Sequence, residues 1–396
     1  MRRVYMDANS TTPLSPEVFA AMRPYMEEQF GNASSVHRHG QQARAAVEHA
    51  REQVACLLGC RAAEIVFTSG GTESDNLAIF GVVNAHLAAG VPLDEIHIVT
   101  SAIEHHAVMN AVRKLEERGV RATWIEPDSQ GRVVADEVRR ALTPQTRLVT
   151  VMMANNETGC LQPVTEIAQI CAEAGVPFHT DAVQAAGKVP LRVAQIGCQL
   201  LSISAHKMHG PQGVGALYVS KGTLLEPMLF GGAHERRRRA GTENLPGIVG
   251  LGRAAELAES GFATGTVTNM ERLRDRLEAG LLERISGSGV NGATAGGKPA
   301  PRVPNTANLW FDGIEGEAAV VALDLKGLAV SSGAACSSGA VEPSHVLTAM
   351  RLPPERARSS LRFSLGKQST DADVDFALEV VPEAVAHMRA LSPALR

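Results

Sequence analysis

Apolar runs of four to six residues alternate with longer amphipathic or polar segments along most of the chain, and this rhythm predicts its architecture. Ser15-Pro16-Glu17 supplies an N-cap, a first-turn proline and a first-turn acid for a helix reaching about Gln29. A second helix is predicted from about Gly40 to Leu58, with Ala43, Ala46, Val47, Ala50, Val54 and Leu57 at helical spacing and Gly59 as its stop. Strand-like runs follow at Glu64–Thr68, Ile96–Thr100, Ala122–Ile125, Leu148–Met152, Val176–His179, Leu200–Ser204 and Val214–Val219, separated by helical or loop segments. Such alternation predicts an α/β fold with a mostly parallel sheet covered by helices.

The texture then changes. Helical stretches at about Pro246–Glu259 and Asn269–Ser286 lead into the Gly/Pro-rich segment Ser286–Pro304, read as a linker or surface excursion. Beyond it come a strand at Thr306–Phe311, a helix from Glu315 to Lys326, a short run at Leu328–Val330, a strand at Ser360–Ser364 and a last helix after Asp371. This is the pattern of a smaller α+β domain. The expected division is a large domain over residues 15–258, and a small domain built from 1–14, a polar arm in its first residues, and 259–396.

Composition narrows the function. The 396 residues are 44% hydrophobic and 20% charged, as in an ordinary soluble globular protein. A net charge of −4 and an aromatic content of only 4% argue against nucleic acid, and no segment has the length of a membrane span. Six scattered cysteines, Cys56 and Cys60 forming the only close pair, predict neither a disulfide framework nor an intrinsic metal site, and suit a reducing, cytoplasmic setting.

Ligands of open α/β sheets bind beyond the carboxyl ends of strands, so the residues there carry the candidate chemistry. Thr68-Ser-Gly-Gly-Thr-Glu-Ser-Asp-Asn76 puts bare amides at a helix start, a phosphate cup or a plain cap. Ser101-Ala-Ile-Glu-His-His106 offers imidazoles that could stack on a flat ring, move protons or face solvent. Ala154-Asn-Asn-Glu-Thr-Gly159 is rich in donors and acceptors, or is a self-stabilised turn. Asp181, in His179-Thr-Asp-Ala-Val-Gln184, could hold a pyridinium nitrogen protonated or cap the next segment. Lys207 lies in a turn between two apolar runs beside Ser204, His206 and His209, where an amine can form a Schiff base with an aldehyde cofactor, or simply be a turn lysine.

Later features are less specific. Four arginines in succession, Arg236–Arg239, read as a solvated or salt-bridged loop rather than a nucleic-acid patch. Ser331-Ser-Gly-Ala-Ala-Cys-Ser-Ser-Gly339 is made almost wholly of small residues, which predicts an exposed, mobile Cys336, reactive or idle. Arg362 alternates with apolar neighbours, as would a fork offered to a carboxylate or a surface ion pair.

Taken together, the stretches FTSGGTESDN, TSAIEHHAV, ANNETG, HTDAVQAAGKVP, SAHKMHGPQGVGALYV, RRAGTENLPGIVGLG, PNTANLWFDGIEGEA, SSGAACSSGAVEPSHVL and LRFSLG make the chain resemble the NifS-like cysteine desulfurases, pyridoxal-phosphate enzymes of aminotransferase fold type I, over essentially its whole length. The resemblance implies that Lys207 binds the cofactor aldehyde and that Gly71, Thr72, Ser204 and His206 hold its phosphate. Thr242 would reach that phosphate from the neighbouring subunit, implying a homodimer. His105 would stack on the ring and carry protons, Asp181 would pair with the ring nitrogen, and Asn156 and Gln184 would contact the ring hydroxyl side. Arg362, with Asn156, would bind the L-cysteine substrate, and Cys336, on a loop of about 329–341, would be the nucleophile that takes its sulfur. L-alanine would be the product and an iron–sulfur scaffold protein the acceptor, with nitrogenase clusters one candidate destination and Cys336 the one candidate as a transient iron–sulfur ligand. Three positions depart from the family pattern: Ala334 for serine, Gln212 for a common lysine and Arg237 for a frequent glycine. The competing readings are a selenocysteine lyase or other pyridoxal β-lyase, and a non-catalytic binding protein on the same fold.

Overall fold

The computed structural model describes residues 2–292, 300–332 and 343–391. Its chain order begins β1 (Val4–Tyr5), α1 (Pro16–Glu27), α2 (Arg38–Leu58), β2 (Ile65–Thr68), α3 (Gly71–Ala88), β3 (His97–Ser101), α4 (His106–Glu116), β4 (Arg121–Ile125), α5 (Ala135–Ala141), β5 (Thr146–Thr150) and α6 (Val164–Ala174). It continues with β6 (Phe178–Asp181), α7 (Val193–Ile196), β7 (Leu200–Ser204), β8 (Gly215–Val219), α8 (Leu245–Ala263) and α9 (Thr266–Arg284). The last third holds β9 (Ser288–Val290), β10 (Thr306–Phe311), α10 (Gly316–Leu325), β11 (Leu328–Ala329), β12 (Ser331–Ser332), α11 (His345–Ala349), α12 (Pro354–Arg358), β13 (Ser360–Ser364) and α13 (Asp371–Leu391).

Seven strands form the main sheet in the order β2-β8-β7-β6-β5-β3-β4, and only β8 runs antiparallel to its neighbours. Strands β2, β3, β6, β7 and β8 are buried at every position, as expected where helices cover both faces. On one face α2 packs along α8. The approach is close because Gly252 of α8 faces Ala50 of α2, where an added Cβ would stand 2.7 Å from the Ala50 Cα. A second core gathers Val4 and Met6 with residues of α9, β10, α10, β13 and α13 over a four-stranded antiparallel sheet, β12-β13-β10-β9.

Two expectations need correction. The arm read as polar opens on a short strand that the pattern did not predict: β1 pairs in parallel with β11, because Val4 and Met6 bury their side chains in the second core. Part of the segment read as a linker is β9, an edge strand whose Ser-Gly-Val sequence carries no periodicity and whose pairing comes from β10.

The arginine run occupies a strained turn. Glu235, Arg236 and Arg237 have φ of 43°, 55° and 65°, a region that costs a non-glycine residue roughly 1 kcal/mol or more. The turn is held because the Glu235 carboxylate accepts both guanidinium nitrogens of Arg51, at 2.7 and 2.8 Å, and the amide of Phe67 at 2.8 Å. Both charged side chains are almost wholly buried. Arg237 therefore sits where glycine would be unstrained. Glu235→Gln should leave Arg51 buried without its counter-charge and cost about 3 kcal/mol of stability, read as a lower denaturant midpoint at unchanged m-value.

Candidate active site

The carboxyl ends of β2, β3, β5, β6 and β7 open on one cavity of about 430 Å³, closed from the other side by β12, β13 and the N-terminal arm. Gly71, Thr72, His105, Asn156, Asp181, Gln184, Ser204, His206, Lys207 and Arg362 all line it. Thr242 does not; it is exposed elsewhere on the chain. Cys336 and most of its loop lie outside the described residues.

Each wall has a local reason. Gly70 has φ 153° and ψ −178°, open only to glycine, and it turns the chain from β2 into α3. At Gly71 an added Cβ would meet Val183 at 2.7 Å, so the backbone itself forms the wall. The start of α3 thus brings unpaired amides and the positive end of a helix to the cavity beside Ser204 and His206. Glu73, in the first turn of α3, accepts the Ser69 amide at 2.7 Å and pairs with Arg239, which makes part of the arginine run a salt-bridged loop.

Lys207 ends a single helical turn after β7, and its Nζ donates to the carbonyls of Asn9 and Ser10 at 2.5 and 2.6 Å. No carboxylate forms an ion pair with it among the described residues. Burial, then the charge of Arg362, push its pKa down to about 8. Desolvation raises the Asp181 pKa to about 6, against the Val183 amide and Lys207, which lower it. Asp181 therefore also caps the turn after β6 while facing the cavity. Burial, and then the charge of Asp181, push the pKa of the fully enclosed Asp75 well up. Beneath them Glu104 is raised to about 8 by burial, and His179, bonded to Thr150 and Ser202, is held neutral by loss of water.

His105 caps α4, its Nδ1 accepting the Ala107 amide at 3.2 Å, which leaves the ring proton on Nε2. Partial burial and the nearby Lys207 charge lower its pKa and keep the ring neutral. Arg362 is buried rather than a surface partner. Its NH2 donates to Asp7 and Ser10, both at 2.8 Å, and its NH1 to the Asn156 carbonyl, while its Nε has no protein partner.

Sequence reasoning missed Asn9, Ser10, Asp75 and Glu157, which also line the cavity. Asp75 and Glu157 lie inside motifs read for other residues. Asn9 gave no signal beyond an ordinary polar arm, yet its side chain bonds the Asn156 carbonyl, Thr306 and Asn305. Buried acceptors without a hydrogen-bond partner remain at Asn156 Oδ1, Glu157 Oε1 and Asp75 Oδ1, the last 3.6 Å from the His179 Nε2. A depressed lysine, a buried carboxylate, a glycine-walled helix start and unpaired polar atoms around one cavity fit a phosphorylated, aldehyde-bearing heterocycle. No group of three or more potential metal ligands occurs among the described residues, and no helix there is long and apolar enough to cross a membrane.

Comparison with known proteins agrees with this fit. The chain belongs to the class-V aminotransferase family, whose model matches residues 4–376, and whose enzymes depend on pyridoxal phosphate. Within it, the chain is 48% identical over 395 residues to a cysteine desulfurase of Gluconacetobacter diazotrophicus, covering 99% of this chain and 96% of that protein. It is 48% identical over 392 residues to "Cysteine desulfurase IscS" of Methanosarcina thermophila, covering 99% and 94%. Among solved structures, a "NIFS-LIKE PROTEIN" matches with TM-score 0.88 and 35% identity over 97% of this chain and all of that one. The expected fold class, cofactor and resemblance are borne out.

The low pKa of Lys207 has a measurable consequence. Capture of pyridoxal phosphate by the apo protein should speed up as pH rises through about 8, where an exposed lysine would require about 10. Arg362→Met should move that midpoint upward in stopped-flow absorbance, because a cation that disfavours the ammonium is gone.

Proposed function

We propose that the protein is an L-cysteine desulfurase, converting L-cysteine to L-alanine while its sulfur passes to Cys336, in support of iron–sulfur cluster assembly. The observation that carries this reading is a lysine of depressed pKa and a buried carboxylate facing one cavity, with an arginine fork at its rim. Pyridoxal phosphate, when bound, supplies the electron sink that makes the substrate Cα–H acidic.

The chain's own groups do the rest. Gly71, Thr72, Ser204 and His206 would hold the phosphate end, Lys207 would bind the aldehyde carbon, Asp181 would take the ring nitrogen, and Asn156 and Gln184 would face the ring hydroxyl. The Asn156 Oδ1, unpaired in the protein, is suited to accept from that hydroxyl. His105, which lines the cavity, would lie against the ring and could pass a proton through its Nε2. Arg362 binds the substrate carboxylate, using the Nε left free by Asp7, Ser10 and Asn156. Released from the cofactor, Lys207 is a base of suitable strength at neutral pH for the Cα proton.

The Cys336 thiolate attacks the substrate sulfur. An S–S bond forms at Cys336 as the substrate C–S bond breaks, and the electron pair left on carbon takes up a proton. L-cysteine and one thiol thus become L-alanine and one persulfide. A scaffold protein then accepts the sulfur, and its identity decides between nitrogenase and general cluster supply. A homodimer suits the exposed Thr242 and the uncovered apolar residues Phe19 and Met26, seven apart on α1, with Phe30 beyond them. A reducing cytoplasm suits the free cysteines.

Cys336→Ser should lower persulfide and alanine formation from L-cysteine by about a thousandfold or more while keeping the visible absorbance of the bound cofactor. Lys207→Ala should lose both. Normal turnover of cysteine by Cys336→Ser would refute the sulfur-transfer reading, and turnover of selenocysteine alone would favour a selenocysteine lyase.

A further inference from the structure

Lys188 is buried, at 6% exposure, in surroundings that oppose it. The charges felt there are those of Lys207 and Arg362, and no carboxylate reaches ion-pair distance among the described residues. Its Nζ instead donates to two neutral oxygens, Gln184 Oε1 at 2.7 Å and Asn9 Oδ1 at 3.4 Å. Burying an amine among cations costs stability that an aliphatic side chain of the same length would not cost.

The geometry points to a task. We propose that Lys188 is a positioning residue that fixes which way the Gln184 amide faces and, through it, the carbonyl on which Lys207 rests. A glutamine amide has one accepting and one donating end. Because the Lys188 nitrogen donates, Oε1 must face it, and Nε2 is left to donate to the Asn9 carbonyl at 2.8 Å. That same carbonyl oxygen accepts the Lys207 Nζ at 2.5 Å. Its two lone pairs are thus assigned, one to Gln184 and one to Lys207.

Without Lys188 the Gln184 Oε1 loses its donor, and the Asn9 carbonyl alone is left to orient the amide. With one of the two restraints gone, both the cavity face of Gln184 and the seat of Lys207 lose definition. Burial pushes the Lys188 pKa down to about 7, so the nitrogen can donate without placing a full permanent charge beside Lys207. An arginine could not do this, because it stays charged.

This inference rests on the cavity being the pyridoxal-phosphate site, and a double-mutant cycle separates the two. The cofactor dissociation constant and the pH midpoint of cofactor capture would be measured for the wild type, Lys188→Met, Gln184→Ala and the double variant. Each single change should weaken cofactor binding about tenfold and shift the midpoint, and the double variant should also weaken it about tenfold, since both remove one device. A double variant weakened about a hundredfold, or Lys188→Met binding as the wild type does, overturns the positioning role. So does a Lys188→Met variant that loses only thermal stability, with the capture midpoint unmoved. Lys188→Leu serves in the same cycle if the methionine variant does not fold. A wild type that captures no pyridoxal phosphate would instead overturn the reading of the site itself.

Discussion

An amine that must lose its proton near neutral pH has to be kept from both water and carboxylates, and the rest of the site is arranged around meeting that demand at Lys207. Carbonyl oxygens of the N-terminal arm hold the nitrogen without neutralising it, and Arg362 adds a repulsive charge nearby. The carboxylates are placed where they do not undo this. Asp7 is occupied by Arg362, burial pushes the Asp75 pKa up and so disfavours its charge, and Asp181 stands across the cavity. Relative positions of like and unlike charges, more than any one contact, set the chemistry available here.

The arm makes this possible because it belongs to two layers at once. Val4 and Met6 fasten it to the second core, while Asn9 and Ser10 reach the ends of the main-sheet strands. Asn9 bonds to groups on both sides: its Nδ2 to the Asn156 carbonyl and Thr306, its backbone oxygen to Gln184 and Lys207. A cavity walled by both cores is thereby kept at one width.

Much of this was legible in the sequence. The strand rhythm placed all seven strands of the main sheet, since fully buried runs such as Leu200–Ser204 are apolar on both faces and bounded by polar turns. Lys207, Asp181 and the glycine cup were found because strand ends are where ligands bind, and motif resemblance then fixed their companions. Asn9 and Lys188 were not legible as site residues. Their importance lies in contacts between residues well over a hundred positions apart, such as Asn9 with Thr306 and Lys188 with Asn9, which no local pattern encodes. Nor did the sequence reveal three successive left-handed residues in an arginine run, because the buried Arg51–Glu235 pair that imposes them spans 184 positions.

The arm is synthesised long before the partners that hold it and is among the last stretches to find its place. Asn9 waits for Asn305, Thr306 and Ser364, 296, 297 and 355 residues later, and Ala8 also bonds to Ser364. Until that strand has left the ribosome, Lys207 has neither of its carbonyl supports in position. A growing chain can lay down most of the main sheet and still be unable to seat a cofactor, so loading is deferred until Ser360–Ser364 has been made.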